Sequence, residues 1–289
     1  MRPSVTAAFP SRAVIREVGL RDGLQSIATI LPTETKKQWV KAAYEAGMRE
    51  IEVGSYVPAR LLPQLADTAD VLAYARTLPG LVASVLVPNL RKAPDEVVAE
   101  FARIRAARDA TRSNTIIEGA VSTAFGCTIQ GYVDPEEVLR LVQALLDSGA
   151  DRISVADTVG YADPRMVREL FERVRRIAGD RFCCGHFHDT RGMAMANVYA
   201  ALETGVARFD ASLAGIGGCP YALGASGNAT TEDLAYMLAS MGVETGIDLE
   251  RLLQLRERVA GWLEGETTHG TVWRAGLPKT MKRAAPRAE

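Results

Sequence analysis

Seven short runs of apolar, β-branched residues recur along the chain, at 13–19, 50–55, 82–88, 115–122, 152–157, 182–188 and 207–214. Most end in polar residues or glycine, the punctuation expected of buried strands. Between them the apolar spacing switches to that of helices. In 33–46, Trp39, Val40, Ala43 and Tyr44 share one face, with Pro32 and Thr33 in front and Gly47 behind. In 135–146, Val138, Leu141, Val142 and Leu145 form one stripe, and Gly149 closes it. The segments 164–177 and 230–241 follow the same logic.

Successive strand starts lie about 25 to 37 residues apart, the length of a βα unit. Regular βα repetition predicts a parallel sheet with helices outside, either a closed barrel or an open doubly wound sheet. In both, functional groups gather at the C-terminal strand ends. Several ionisable residues obey that rule. Arg21 and Asp22 follow the first strand, Glu52 and Ser55 lie late in the second, and Asp157 and Thr158 end the fifth. His186 and His188 end the sixth, and Cys219 and Asn228 follow the seventh. No composition shift marks a second domain, so 1–289 reads as one catalytic barrel, with flexible ends at 1–12 and 277–289.

A formal net charge of −1 gives no overall field for nucleic acid, and no apolar run reaches membrane-spanning length. The cysteines Cys127, Cys183, Cys184 and Cys219 follow neither a Cys-x-x-Cys spacing nor a secreted framework. They read as reduced thiols of a cytoplasmic protein. Trp39 and Trp262 suit either a homodimer contact or the core, with the core preferred.

The His186-Phe187-His188 triplet carries the most chemistry. Side chains two apart on a strand share a face, so both imidazoles can reach one divalent ion; the alternative is a hydrogen-bonded pair of core histidines. Two imidazoles, a carboxylate and an amide oxygen suit Mg²⁺, Mn²⁺ or Co²⁺ better than a closed zinc site. Arg21-Asp22-Gly23 offers a guanidinium and a carboxylate from one turn. The segment 215–228, with five glycines and Cys219, reads as a lid carrying a thiol over a substrate. It matches no Walker or dinucleotide pattern.

Five blocks give the chain a resemblance to the 3-hydroxy-3-methylglutaryl-CoA lyase family of metal-dependent α/β barrels. They are Glu17 to Gln25, Ile51-Glu52 through Ser55, Ala156 to Gly160, His186 to Thr190, and Gly215 to Asp233. The resemblance implies that Asp22, His186, His188 and Asn228 bind the divalent cation. It implies that Arg21 stabilises an enolate, Glu52 positions Arg21, and Asp157 supports the substrate hydroxyl and the histidines. Cys219 is implied as a proton shuttle on the lid, Glu232 as an anchor of that lid, and His188 as the preferred base, with Asp157 or a metal-bound hydroxide as alternatives. The implied reaction is a retro-Claisen cleavage of an acyl-CoA, in leucine breakdown or ketone-body formation. The open alternatives are a lyase for a related 3-hydroxy-acyl-CoA, a Claisen-type synthase, and an inactive barrel.

Three departures from the family pattern stand out. Ser26 and Ile27 replace Asn-Glu, and Arg191 replaces a Tyr common in the family. Between Pro88 and Pro94 the family carries a further βα-sized segment, here closed by Arg91-Lys92-Ala93. The expectation is therefore a TIM-type (β/α) barrel lacking the family's fourth strand, with seven strands and a break between the third and fourth.

Overall fold

A computed structural model describes residues 9–87, 94–218 and 227–280. These fall into two compact units, each made of several chain segments.

One unit contains residues 11–86, 211–217 and 229–289. Its strands are β1 (Val14–Glu17), β2 (Glu50–Ser55) and β3 (Val82–Leu86), paired in parallel as β3-β2-β1. Helices α1 (Thr33–Glu45) and α2 (Thr68–Ala75) make the crossovers. Helices α7 (Thr231–Ser240), α8 (Leu249–Trp262) and α9 (Val272–Ala275) follow late in the chain. Its core includes Ile51 and Val53 of β2, Trp39 and Val40 of α1, Leu234 and Leu238 of α7, and Leu252 and Leu255 of α8. Trp39 is fully buried and its ring lies 6.3 Å from that of Trp262. The tryptophan pair therefore serves the core and not a dimer face.

The other unit contains residues 1–10, 87–210 and 218–228. Its strands β4 (Glu118–Val121), β5 (Arg152–Asp157), β6 (Phe182–Phe187) and β7 (Arg208–Ala211, whose last residue belongs to the first unit) are also parallel. They alternate with α3 (Pro94–Ala110), α4 (Pro135–Asp147), α5 (Pro164–Ala178) and α6 (Ala194–Glu203). Phe171 of α5 gathers the rings of Phe125, Phe182 and Phe187 around it. Asp134 and Asp163 cap α4 and α5, each followed by a proline at the first helical position.

The strand order is β3-β2-β1-β7-β6-β5-β4, all parallel where registers are given. Seven strands are present among the described residues, and a single helix, α3, separates β3 from β4. This matches the expected count, with β3 and β4 at the two ends of the order.

Some boundaries move. β1 stops at Glu17 because the Val18 carbonyl accepts the N–H groups of Arg21, Asp22 and Gly23, closing a π-turn. β4 starts at Glu118 because the Ile117 N–H turns to the Asp151 carboxylate. β7 ends at Ala211, where the chain enters a turn through Ala214 at φ 61°. The expected N-terminal arm is also shorter than 1–12. Phe9 packs edge-on against Tyr199, Ser11 accepts the Glu244 N–H, and Ala13 donates to Glu244. Residues 1–8 and 281–289 lie outside the described part.

Candidate active site

The histidines are set by β6. His186 and His188 are both buried, and their Nε2 atoms lie 3.0 Å apart. Two ligands at right angles on a cation with bonds of about 2.1 Å stand about 3.0 Å apart. The spacing thus fits adjacent corners of an octahedron. Asp210 of β7 meets the other nitrogen of His186, with Nδ1 to Oδ2 at 3.1 Å. Donation of the Nδ1 proton to that carboxylate leaves the Nε2 lone pair for a cation, the usual carboxylate–histidine–metal arrangement. The Sγ of Cys184 lies 3.4 Å from the other oxygen of Asp210.

Backbone pairing draws two more predicted residues to the histidines. Asn228 forms an antiparallel bridge with His188, and the Asp189 N–H donates to the Gly227 carbonyl. Asn228 is buried, and the start of α7 falls to Thr230 instead of to it. The His188 N–H donates to the Asp157 carbonyl. The Asp157 carboxylate accepts the N–H groups of Tyr161 and Ala162 at 2.8 and 3.1 Å. Burial pushes its pKa up, against the pull of those hydrogen bonds and of His186. Arg191 donates Nη1 to the carbonyls of Val159 and Gly160 and lies over the Tyr161 ring.

In the other unit the π-turn Gly19–Gly23 presents Arg21 and Asp22. Such turns mark functional positions more often than regular helix does. Arg21 donates Nε to Glu52 at 2.6 Å and Nη1 to Asp22 at 2.6 Å. Gln25 also donates to Asp22, at 2.6 Å. Glycine at both ends of the turn is required by close approach. A Cβ at Gly19 would come within 2.4 Å of Glu17 Oε1 and 2.8 Å of the Trp39 ring; one at Gly23 would come within 2.6 Å of Ile216.

Glu232 is fully buried on α7, where it accepts the Ala214 N–H and meets Arg256 Nε at 3.3 Å. Burial pushes its pKa up to about 7 in spite of the arginine. Cys219 lies outside the described residues. The expected residues thus fall into two sets: Asp157, His186, His188 and Asn228 in one unit, and Arg21, Asp22, Glu52 and Glu232 in the other.

Sequence reading missed Asp210 and Arg256. Asp210 sits inside a strand-like run with no motif around it, and the Asp–His pairing spans 24 residues of sequence. The one available clue was a carboxylate inside a buried strand, which needs a partner.

Parallel strands alternating with helices, with paired ionisable groups at the strand ends, define an α/β protein of the TIM type built for a cation-assisted reaction. Comparison with known proteins narrows that class. A family model described as HMGL-like matches residues 83–259. The chain is 36% identical to the mitochondrial hydroxymethylglutaryl-CoA lyase of Rattus norvegicus, over 92% of this chain and 90% of that protein. It is 36% identical to a hydroxymethylglutaryl-CoA lyase of Bacillus subtilis, over 89% and 93% of the two chains. The solved structure of an HMG-CoA lyase from Acinetobacter baumannii, in complex with coenzyme A and 3-methylmalate, superposes with a TM-score of 0.87 at 33% identity. That match covers 96% of this chain and 99% of the other. The chain belongs to the HMGL-like family and is a carbon–carbon lyase.

Proposed function

We propose that this enzyme cleaves 3-hydroxy-3-methylglutaryl-CoA to acetyl-CoA and acetoacetate, with a divalent cation held by Asp22, His186, His188 and Asn228. The observation that carries the reading is the His186–His188 pair, oriented by Asp210 at the end of β6, in a chain of this family. Asp22, His186 and His188 are all buried oxygen or nitrogen donors, a set that favours Mg²⁺ or Mn²⁺, with Co²⁺ as a substitute. When bound, the cation supplies a Lewis acid for the substrate's hydroxyl and carbonyl oxygens.

The chain's own groups do the rest. A base takes the proton of the 3-hydroxyl. The electron pair of that O–H bond forms the ketone of acetoacetate as the C2–C3 bond breaks. The C2–C3 pair moves to the thioester as an enolate, which Arg21 stabilises and which is then protonated at C2. Glu52 holds Arg21 by its Nε, leaving part of the guanidinium to face the oxyanion. His188 cannot lend one lone pair to both a cation and a proton, so the base role falls to Asp157. Cys219 is the candidate donor to C2, and Glu232 anchors the segment that follows it. The enzyme acts on soluble acyl-CoA in the cytosol, in leucine breakdown or ketone-body formation. Among the described residues no helix is long and apolar enough to cross a membrane.

A second reading is favoured by Arg191. A guanidinium held over Tyr161, three residues beyond His188, suits a related 3-hydroxy-acyl-CoA with a different acyl end.

The test is acetyl-CoA formation from a panel of 3-hydroxy-acyl-CoA thioesters, with Mn²⁺ or with EDTA. Cleavage of 3-hydroxy-3-methylglutaryl-CoA that EDTA abolishes supports the proposal. Faster turnover of another thioester moves it to the second reading, and failure to bind Mn²⁺ overturns the site.

A further inference from the structure

Glu17 has no task in the chemistry above, yet it is a fully buried carboxylate at the end of β1. A buried carboxylate is costly unless its oxygens are matched by donors, and an apolar residue would fill the space with less penalty. Here every donor comes from a different piece of the same unit. Oε1 accepts the Gly19 N–H at 2.9 Å and the Leu213 N–H at 3.1 Å. Oε2 accepts the Thr231 hydroxyl at 2.6 Å.

Each partner begins an element. Gly19 opens the π-turn that presents Arg21 and Asp22. Leu213 opens the turn after β7, and Thr231 opens α7. The two later pieces are also tied to each other, because Ser212 donates to Ala229 and accepts from Thr231. Within the π-turn the Val18 carbonyl takes the N–H groups of Arg21, Asp22 and Gly23, but not that of Gly19. An N–H at the start of a helical turn has no partner inside the turn, and Glu17 supplies one. Gly19 has no side chain where a Cβ would meet that carboxylate at 2.4 Å.

We propose that Glu17 is a positioning residue for Arg21. Its carboxylate pins the first N–H of the Arg21–Asp22 turn to the segments at Leu213 and Thr231, so that the guanidinium meets the developing oxyanion in one fixed pose. Glu52 fixes the head of Arg21, and Glu17 fixes its backbone. The inference rests on the enolate-stabilising role given to Arg21 above.

The experiment compares Glu17→Leu, Glu17→Gln and Thr231→Val in the full-length enzyme loaded with Mn²⁺. Glu17→Leu removes both acceptors and is expected to lower kcat about 10²-fold, the cost of a misplaced reacting group. KM and Mn²⁺ affinity stay within about threefold, because only a transition-state contact is lost. Glu17→Gln keeps an oxygen for Gly19 and Leu213 and recovers kcat to within about threefold of wild type by the same logic. A folded Glu17→Leu enzyme with wild-type kcat overturns the proposal, as does a Gln variant no better than Leu. If Glu17→Leu does not fold, Thr231→Val carries the test, and an unchanged kcat there overturns it. Amide hydrogen exchange at Gly19–Asp22 is read alongside. Faster exchange in the Leu or Val variant than in Gln supports the clasp even if wild-type enzyme proves inactive on 3-hydroxy-3-methylglutaryl-CoA, a failure that would fall on the substrate assignment alone. Equal exchange in all variants overturns the clasp.

Discussion

Asp210 decides which nitrogen of His186 carries its proton. With Nδ1 donating to the carboxylate, Nε2 faces His188 as a lone pair. Asp210→Asn offers an amide that donates equally well and lets the proton move to Nε2. Mn²⁺ affinity should then fall about 10- to 100-fold, the usual cost of losing a partner behind a ligand; calorimetric titration checks it. Arg21→Met should leave Mn²⁺ affinity nearly intact while kcat falls about 10²-fold or more, as for a lost oxyanion donor. Loss of the cation instead would mark Arg21 as structural. Glu17 adds a pH signature. Burial raises its pKa from 4.5 to about 7, against the pull of its three hydrogen bonds. The folded state therefore binds the proton more tightly than the unfolded chain does. Stability from this group is full below pH 4.5 and is lost as pH rises through 7, about 3 kcal/mol in all. Glu17→Gln abolishes that loss. In denaturant melts with EDTA, the variant's stability relative to wild type should grow between pH 4.5 and 7.5 and level off above.

The helices owe their limits to short-range chemistry and their places to long-range packing. Asp163 accepts the N–H groups of Arg165 and Met166, so Asp163→Ala should cost about 1 kcal/mol. Phe171, in the middle of the same helix, is fully buried among three other phenylalanines. Phe171→Ala should cost about 3–5 kcal/mol in urea melts. The contrast explains what was legible in the sequence. Strand runs, the α4 and α5 starts at Asp-Pro, and the period-two spacing of His186 and His188 are local patterns, and each reappears in the structure. Asp210 behind His186, Arg256 beside Glu232, and Glu17 joined to Leu213 across 196 residues have no local signature. Nor does the π-turn, which takes the place of the last residues expected in β1. Those features arise only when distant strands bring their ends together, and no window of sequence contains both partners.

The whole sheet carries the mark of a shortened family member. β3 and β4 each have one neighbour in the strand order, and Val82 and Val87 beside the outer positions of β3 are half exposed. An apolar strand with a free side invites association between molecules. Lysine at Val82 and Val87 should reduce aggregation in light scattering while leaving kcat unchanged; no effect on scattering would show that this side of β3 is already covered. The chemistry sits elsewhere, in turns with little freedom to change. Gly19 is closed in by Glu17 and Trp39, and Gly23 by Ile216. Mutation at either end of that turn meets a wall before selection can test it. A lineage descending from this enzyme must therefore find new acyl preferences outside the turn, at neighbours such as Ser26 and Arg191, while the five residues that carry the guanidinium pass on unaltered.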